Sequence, residues 1–288
     1  MRKKMKLLVA VFTAALAVSM LAGCATQANE PAKQEPAAEA VELQIFAANS
    51  LEKALPEVQV LYTEKHPEVT FADTQFKGSG DLVEELKGGA TADLLITASA
   101  ATMDTAVENT LVDETTRIDM FNNDLVLVTA EDADITISDL KDLEGSVVEK
   151  IALGEPNAVP AGKYALQSLE SAGLVTYDTA EDKTVLNIMY AESIKNKMND
   201  GADKVGTVAQ YVSSGEATLG FVYSSDVYRY DGIKSVFTVP ADTHKPIIYP
   251  GAQVAASEHA DAAKAFLDFC LHDADAQAIF SQYGFELV

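Results

Sequence analysis

Basic residues are scarce in this chain: Lys and Arg number 21 against 44 Asp and Glu over 288 residues, a formal net charge of −23. A surface of that sign repels phosphate backbones and anionic headgroups, which argues against nucleic acid or an anionic membrane surface as a partner. Cysteine is nearly absent, with Cys24 and Cys270 the two thiols, and no disulfide is expected. Histidine occurs at His66, His244, His259 and His272. These are scattered and lack the spacing that sets two imidazoles on one helix face, so no metal held directly by side chains is expected. The G-x-S-x-G elbow is missing as well, and no serine is tied to a histidine by a motif. A secreted serine hydrolase is therefore a remote reading, and no catalytic residue is assigned.

What is present starts with an N-terminal pattern. Arg2, Lys3, Lys4 and Lys6 precede an apolar run from Leu7 to Leu21 that closes with Ala22 and Gly23. Residues 1–23 read as a secretory signal, and the run is short for a membrane span. Leu21-Ala22-Gly23-Cys24 resembles the bacterial lipobox, which implies that Cys24 is acylated and anchors the protein to a membrane outside the cytoplasm. An ordinary signal peptide or a membrane span, with an incidental cysteine, is the alternative. Residues 24–40 are rich in Ala, Gln, Glu and Pro without a large apolar side chain, the composition of a disordered tether. Cys270 sits in AFLDFCL and reads as a buried helical thiol.

The hydrophobic content of 48% is enough for a sizeable core. From Val41 onward short apolar runs (VELQIFAA, VTFAD, ADLLITAS, DLVLVTA, KIALG, TLGFVYSS, KSVFTVP) alternate with helical patterns. Helices are expected at 51–66, 81–87, 101–109, 162–172, 205–213, 261–270 and 275–283. The alternation predicts α/β units around a parallel sheet, with chemistry where strands lead into helix N-termini.

Four such turns could hold an anion. Ser50 precedes a helical pattern, as a plain N-cap or as an anion donor; Pro56 within that helix should remove one backbone bond. Gly78-Ser79-Gly80 permits successive amides to converge, although it is also the composition of a flexible loop. Pro160-Ala161-Gly162 opens a helix and leaves the following amides free, or is merely a tight connection. Tyr223 ends an apolar strand, with its phenol either packed or turned into a space between lobes.

FAANSLEKAL, the Gly-Ser-Gly turn, ATADLLITAS, GEPNAVPAGKYA, SGEATLGFVYSSD, DTHKPIIYP and AIFSQYGFEL follow one another along the chain. In that order they resemble the molybdate-binding proteins of ABC transporters, from about Leu43 to Val288. The resemblance implies an α/β fold of the type II periplasmic-binding class, two α/β lobes closing over a ligand cleft. It implies lobe I at 41–123 plus 248–288 and lobe II at 124–247. It also implies capture of molybdate or tungstate, delivery to ABC permease subunits in the membrane, no cofactor, and a monomer. Carried over, the ligand contacts are the hydroxyls and amides of Ser50 and Ser79, the amides of Ala161 and Val205, and the phenol of Tyr223. Extra residues between Leu174 and Val205 leave Ile194 as a second candidate for the Val205 position. Sulfate, thiosulfate or phosphate is the alternative ligand. Lys53, Lys77 and Lys163 adjoin the proposed turns, as solvated surface charge or as a positive rim that steers a dianion past the acidic bulk.

Overall fold

The computed structural model describes residues 40–288; the signal, Cys24 and all of the tether but its last residue lie outside the described residues. The run VELQIFAA does not form one strand. Gln44 turns its amide out of the ladder to donate to Asp93 Oδ2 at 2.8 Å, which separates β1 (Val41–Leu43) from β2 (Ile45–Ala48). A 3-10 turn, Asn49–Leu51, then delays the first helix, α1 (Ala54–Lys65). Pro56 thus falls in the first turn of α1, where its missing N–H breaks no helical bond. Next come β3 (Val69–Phe71), β4 (Gln75–Lys77), α2 (Ser79–Lys87), β5 (Leu94–Ile96), α3 (Ala100–Glu108) and β6 (Ile118–Asn122).

The middle of the chain holds β7 (Leu125–Ala130), β8 (Ile151–Gly154), α4 (Pro160–Ser171), the hairpin β9 (Val175–Thr179) and β10 (Val185–Tyr190), and β11 (Met198–Ala202). It continues with α5 (Val205–Ser213), β12 (Leu219–Tyr223), α6 (Ser224–Arg229) and β13 (Ile233–Thr238). The chain ends with β14 (Ile248–Gln253), α7 (Ala260–His272), α8 (Ala274–Gln282) and β15 (Glu286–Leu287). Cys270 is fully buried in α7, and that burial pushes its thiol pKa up.

Two sheets organise these elements, one of order β15-β6-β14-β5-β2-β4 and one of order β11-β8-β12-β7-β13. Neither is purely parallel, contrary to the sequence expectation. The reversed interior strand of the first is β14, antiparallel to β5 and β6; that of the second is β7, antiparallel to β12 and β13. Each is the strand that receives the chain from the other sheet, so it arrives from the opposite end. The two crossings lie side by side, with Asn123 N donating to Ile247 O at 3.2 Å. Helices pack on both sheets and give two α/β lobes with a cleft between them, the type II periplasmic-binding architecture.

Local sequence fixes the cleft-facing ends. Val205, Val208, Ala209 and Val212 form one buried stripe of α5, the 3.6-residue period of a helix lying on a sheet. Pro160 opens α4 with its ring preset for the first turn, and α4 then sits almost on β8. A Cβ at Gly162 would lie 2.0 Å from the Gly154 carbonyl oxygen. Gly162→Ala is therefore expected to lower stability by about 2–3 kcal/mol, measured by urea unfolding; an unchanged midpoint would show that this contact is not tight.

Candidate functional site

The residues that follow five strand ends meet in one recess between the lobes. Ser50 lies in the 3-10 turn after β2, Ser79 opens α2, Pro160 opens α4, Val205 opens α5 and Tyr223 ends β12, and all five line the recess. Ala161 does not line it directly. It is the wholly buried second residue of α4, beside Pro160. The lobes are closed: Gly80 N donates to Ala158 O at 2.9 Å and Gly206 N to Asn49 Oδ1 at 3.2 Å. The recess leaves about 10 Å³ for the centre of a water-sized sphere, room for about one water. A larger guest enters only when the lobes part.

Its walls are donors. The first amides of a helix have no intrahelical acceptor, and the N–H groups of Ser79, Ala161 and Val205 find none elsewhere among the described residues. The Ser50 amide is likewise uncommitted. Ser79 Oγ accepts from Ala98 N at 3.0 Å, which leaves its own proton to give. Ser50 Oγ lies 2.9 Å from Tyr249 Oη. The Tyr223 phenol makes only a long bond, 3.4 Å, to Ala98 O. Burial, followed by the neighbouring Tyr249, pushes the Tyr223 pKa well above its ordinary value, so the phenol keeps its proton and remains a donor. Lys77 and Lys204 are the charged residues on the lining, with no carboxylate among them. Three helix N-termini add their positive dipole ends. Such a wall favours a small anion made of acceptors.

A family profile described as bacterial extracellular solute-binding protein matches residues 43–286. The chain belongs to that family. A Bacillus subtilis (strain 168) protein named as an ABC transporter substrate-binding lipoprotein, YvgL, is 32% identical over 285 residues, covering 99% of each chain. The molybdate-binding protein ModA of Escherichia coli (strain K12) is 35% identical over 249 residues, 84% of this chain and 88% of its own. Among solved structures, a substrate-binding domain assigned to a molybdenum ABC transporter of Clostridium difficile is 36% identical, covers 86% of this chain and 99% of its own, and superposes with a TM-score of 0.63.

Several residues of this solute-binding protein sit differently from their sequence expectation. Ser50 is not an N-cap: it lies inside the 3-10 turn, whose cap position is Ala48. Ser79 is the first residue of α2 and Gly78 its cap. Ile194 is buried in the turn between β10 and β11, away from the recess, whereas Val205 lines it. The rim of three lysines is not built. Lys53 is exposed and off the lining, and Lys163 gives its ammonium to Lys183 O at 2.7 Å. Lys77 lines the recess but is paired with Glu85. Lys204, which the sequence reading passed over, caps α5 and lines the recess beside Val205.

Sequence reasoning also missed Asn49, Tyr249, Asp226 and Arg229, although the i,i+3 pair in SSDVYR was visible. Opposite the lysines, Asp81 in the first turn of α2 has its pKa raised. Burial leads, then Asp203 and Glu155 of the other lobe and Glu85 on its own helix, with Lys77 opposing. A carboxyl that holds its proton more tightly when folded weakens the fold as pH rises from its ordinary value, 3.8, through the raised one. Asp81→Asn is accordingly expected to raise the thermal midpoint near pH 7 by a small amount that shrinks as pH falls toward 3.8. Scanning calorimetry across pH checks this, and a loss at neutral pH would refute it.

Proposed function

We propose that this solute-binding protein captures molybdate or tungstate outside the cytoplasm and delivers it to the membrane subunits of an ABC importer. The observation that carries the reading is the set of uncommitted donors on a wall without carboxylates. The relatives named for molybdate supply the choice of oxyanion. On this reading Ser50, Ser79, Ala161, Val205 and Tyr223 are the ligand contacts, and Val205 rather than Ile194 holds the fourth position. Amide and hydroxyl dipoles then replace a countercharge, and in a dry cleft such charge-assisted bonds are strong. A fully deprotonated tetrahedral dianion offers only acceptors and suits them. Hydrogen phosphate brings a proton that needs an acceptor, and sulfate is a smaller tetrahedron for the same spacing of donors.

The lobes at 41–123 with 248–288 and at 124–247 close over the anion and present a joint surface to the permease, so that ligand binding shifts the open-to-closed population. Acylated Cys24 and the segment 24–40 would keep a monomeric binding protein, neither an enzyme nor a cofactor carrier, near its transporter. Among the described residues no helix is long and apolar enough to cross a membrane.

Calorimetry against molybdate, tungstate, sulfate and phosphate tests the reading. Saturable heat is expected with molybdate and tungstate; heat with sulfate and none with molybdate would overturn the choice of anion. Ser79→Ala, which removes one hydroxyl donor, should weaken binding about 10-fold. Lys204→Gln should slow association and flatten its dependence on salt, read by stopped flow.

A further inference from the structure

A buried ion pair lies behind the recess, outside its lining. Arg229 closes α6 with its side chain 1% exposed, and Asp226 one turn earlier is fully buried. The guanidinium grips Asp226 Oδ1 through Nη2 at 2.5 Å and Nε at 3.1 Å. The other oxygen of Asp226 accepts from Tyr223 N at 2.9 Å. The remaining face of the fork crosses the cleft: Nη1 donates to Asn49 O and, at 3.2 Å, to Glu52 Oε2. Asn49 in turn takes Gly206 N on its Oδ1 and gives Nδ2 to Glu52 at 3.0 Å.

The peptide carbonyl that Arg229 holds is the decisive detail. Asn49 C=O and Ser50 N–H belong to one planar trans unit, so they point in opposite directions. The same oxygen accepts from Glu52 N at 3.0 Å within the 3-10 turn, and Arg229 adds a second donor from the other lobe, so that together they hold the Ser50 amide turned away from the guanidinium and polarise it. Asp226 already neutralises the charge within its own lobe. What crosses the cleft is geometry, and a planar five-donor fork supplies it as an ammonium cannot.

We infer that Arg229 is a positioning residue that latches the closed lobes through Asn49 and sets the Ser50 amide for the anion. The inference rests on the anion-binding reading of the recess. Parting of the lobes removes the Asn49 and Glu52 partners together, so the latch forms only on closure. It links the Tyr223 strand end in one lobe to the Ser50 turn in the other.

The test uses Arg229→Lys, which keeps the charge and loses the fork, and the double variant Asp226→Asn with Arg229→Met, which leaves no buried charge. Amide hydrogen exchange is followed in the ligand-free full chain at Gly206 and at Gly80, whose bond to Ala158 crosses the cleft away from Arg229. Both amides should exchange about 10-fold faster in the double variant and by a smaller factor in Arg229→Lys. Amides of β7 and of β12 other than Tyr223, whose N–H bonds to Asp226 itself, should keep their protection. Unchanged exchange at Gly80 and Gly206, or equal acceleration throughout β7 and β12, would overturn the latch; should the double variant not fold, Arg229→Lys alone decides. Wild-type protein that gives no heat with any of the four oxyanions sinks the anion reading instead and leaves the latch to the exchange data.

Discussion

An amide in the first turn of a helix has no acceptor within that helix. In most helices a side chain or water takes up the need. Here α2 and α5 begin without a side-chain cap and α4 begins with proline, and all three open onto the same recess. The rest of the architecture serves that convergence. Each sheet delivers the carboxyl ends of its parallel strands to the cleft, short connections turn straight into helices, and small residues allow the backbones to meet. The seam is close enough that a Cβ at Gly80 would stand 2.5 Å from Asn157 O in the opposite lobe. A bulkier residue there would hold the lobes apart without touching the interior of either.

The acidity of the chain is compatible with holding an anion because the two effects act over different ranges. At physiological salt the field of an exposed carboxylate fades over about 8 Å. Within the recess no carboxylate lines the wall, which is made of helix N-termini and free amides with Lys204 beside them, Lys77 being paired with Glu85. Asp81, Asp203 and Glu155 come together at the edge of closure rather than on the floor. Burial first and then the charges of Asp203 and Glu155 disfavour an ionised Asp81 in the closed form.

Much of this was legible in the sequence. The seven main helices, including the start of α5 at Val205, followed from period, whereas turn chemistry left Ser79 and Tyr223 with two readings each and the resemblance supplied their place at the ligand. What stayed hidden depends on the third dimension. The reversed strands β7 and β14 are consequences of the chain crossing between sheets twice, which no local pattern encodes. Ser50 reads as an N-cap from its neighbours, yet the hydroxyl of Tyr249, almost 200 residues away, claims it. Lys163 is beside the right turn in sequence, but the β9–β10 hairpin offers it a carbonyl and it turns away. Charge proximity along the chain was a poor guide to charge in the cleft.

A binding protein for a transporter must also let go, and the seam suits that need. The polar contacts that join the lobes are directional, among them Gly80 to Ala158, Gly206 to Asn49, Tyr223 to Ala98, Arg229 to Asn49 and Glu52, and Lys183 to Glu108 at 2.9 Å. Apolar burial runs through both lobes and meets at the seam where Tyr223 packs edge-on against Tyr249, and the hydrogen bonds across the seam each have a modest net worth once water is available to replace them. A buried pair such as Arg229 and Asp226 is poor evidence for stability, since its desolvation offsets much of its attraction. Its value is geometric. It places charge and direction at one point of the seam, so that the closed form depends on alignment.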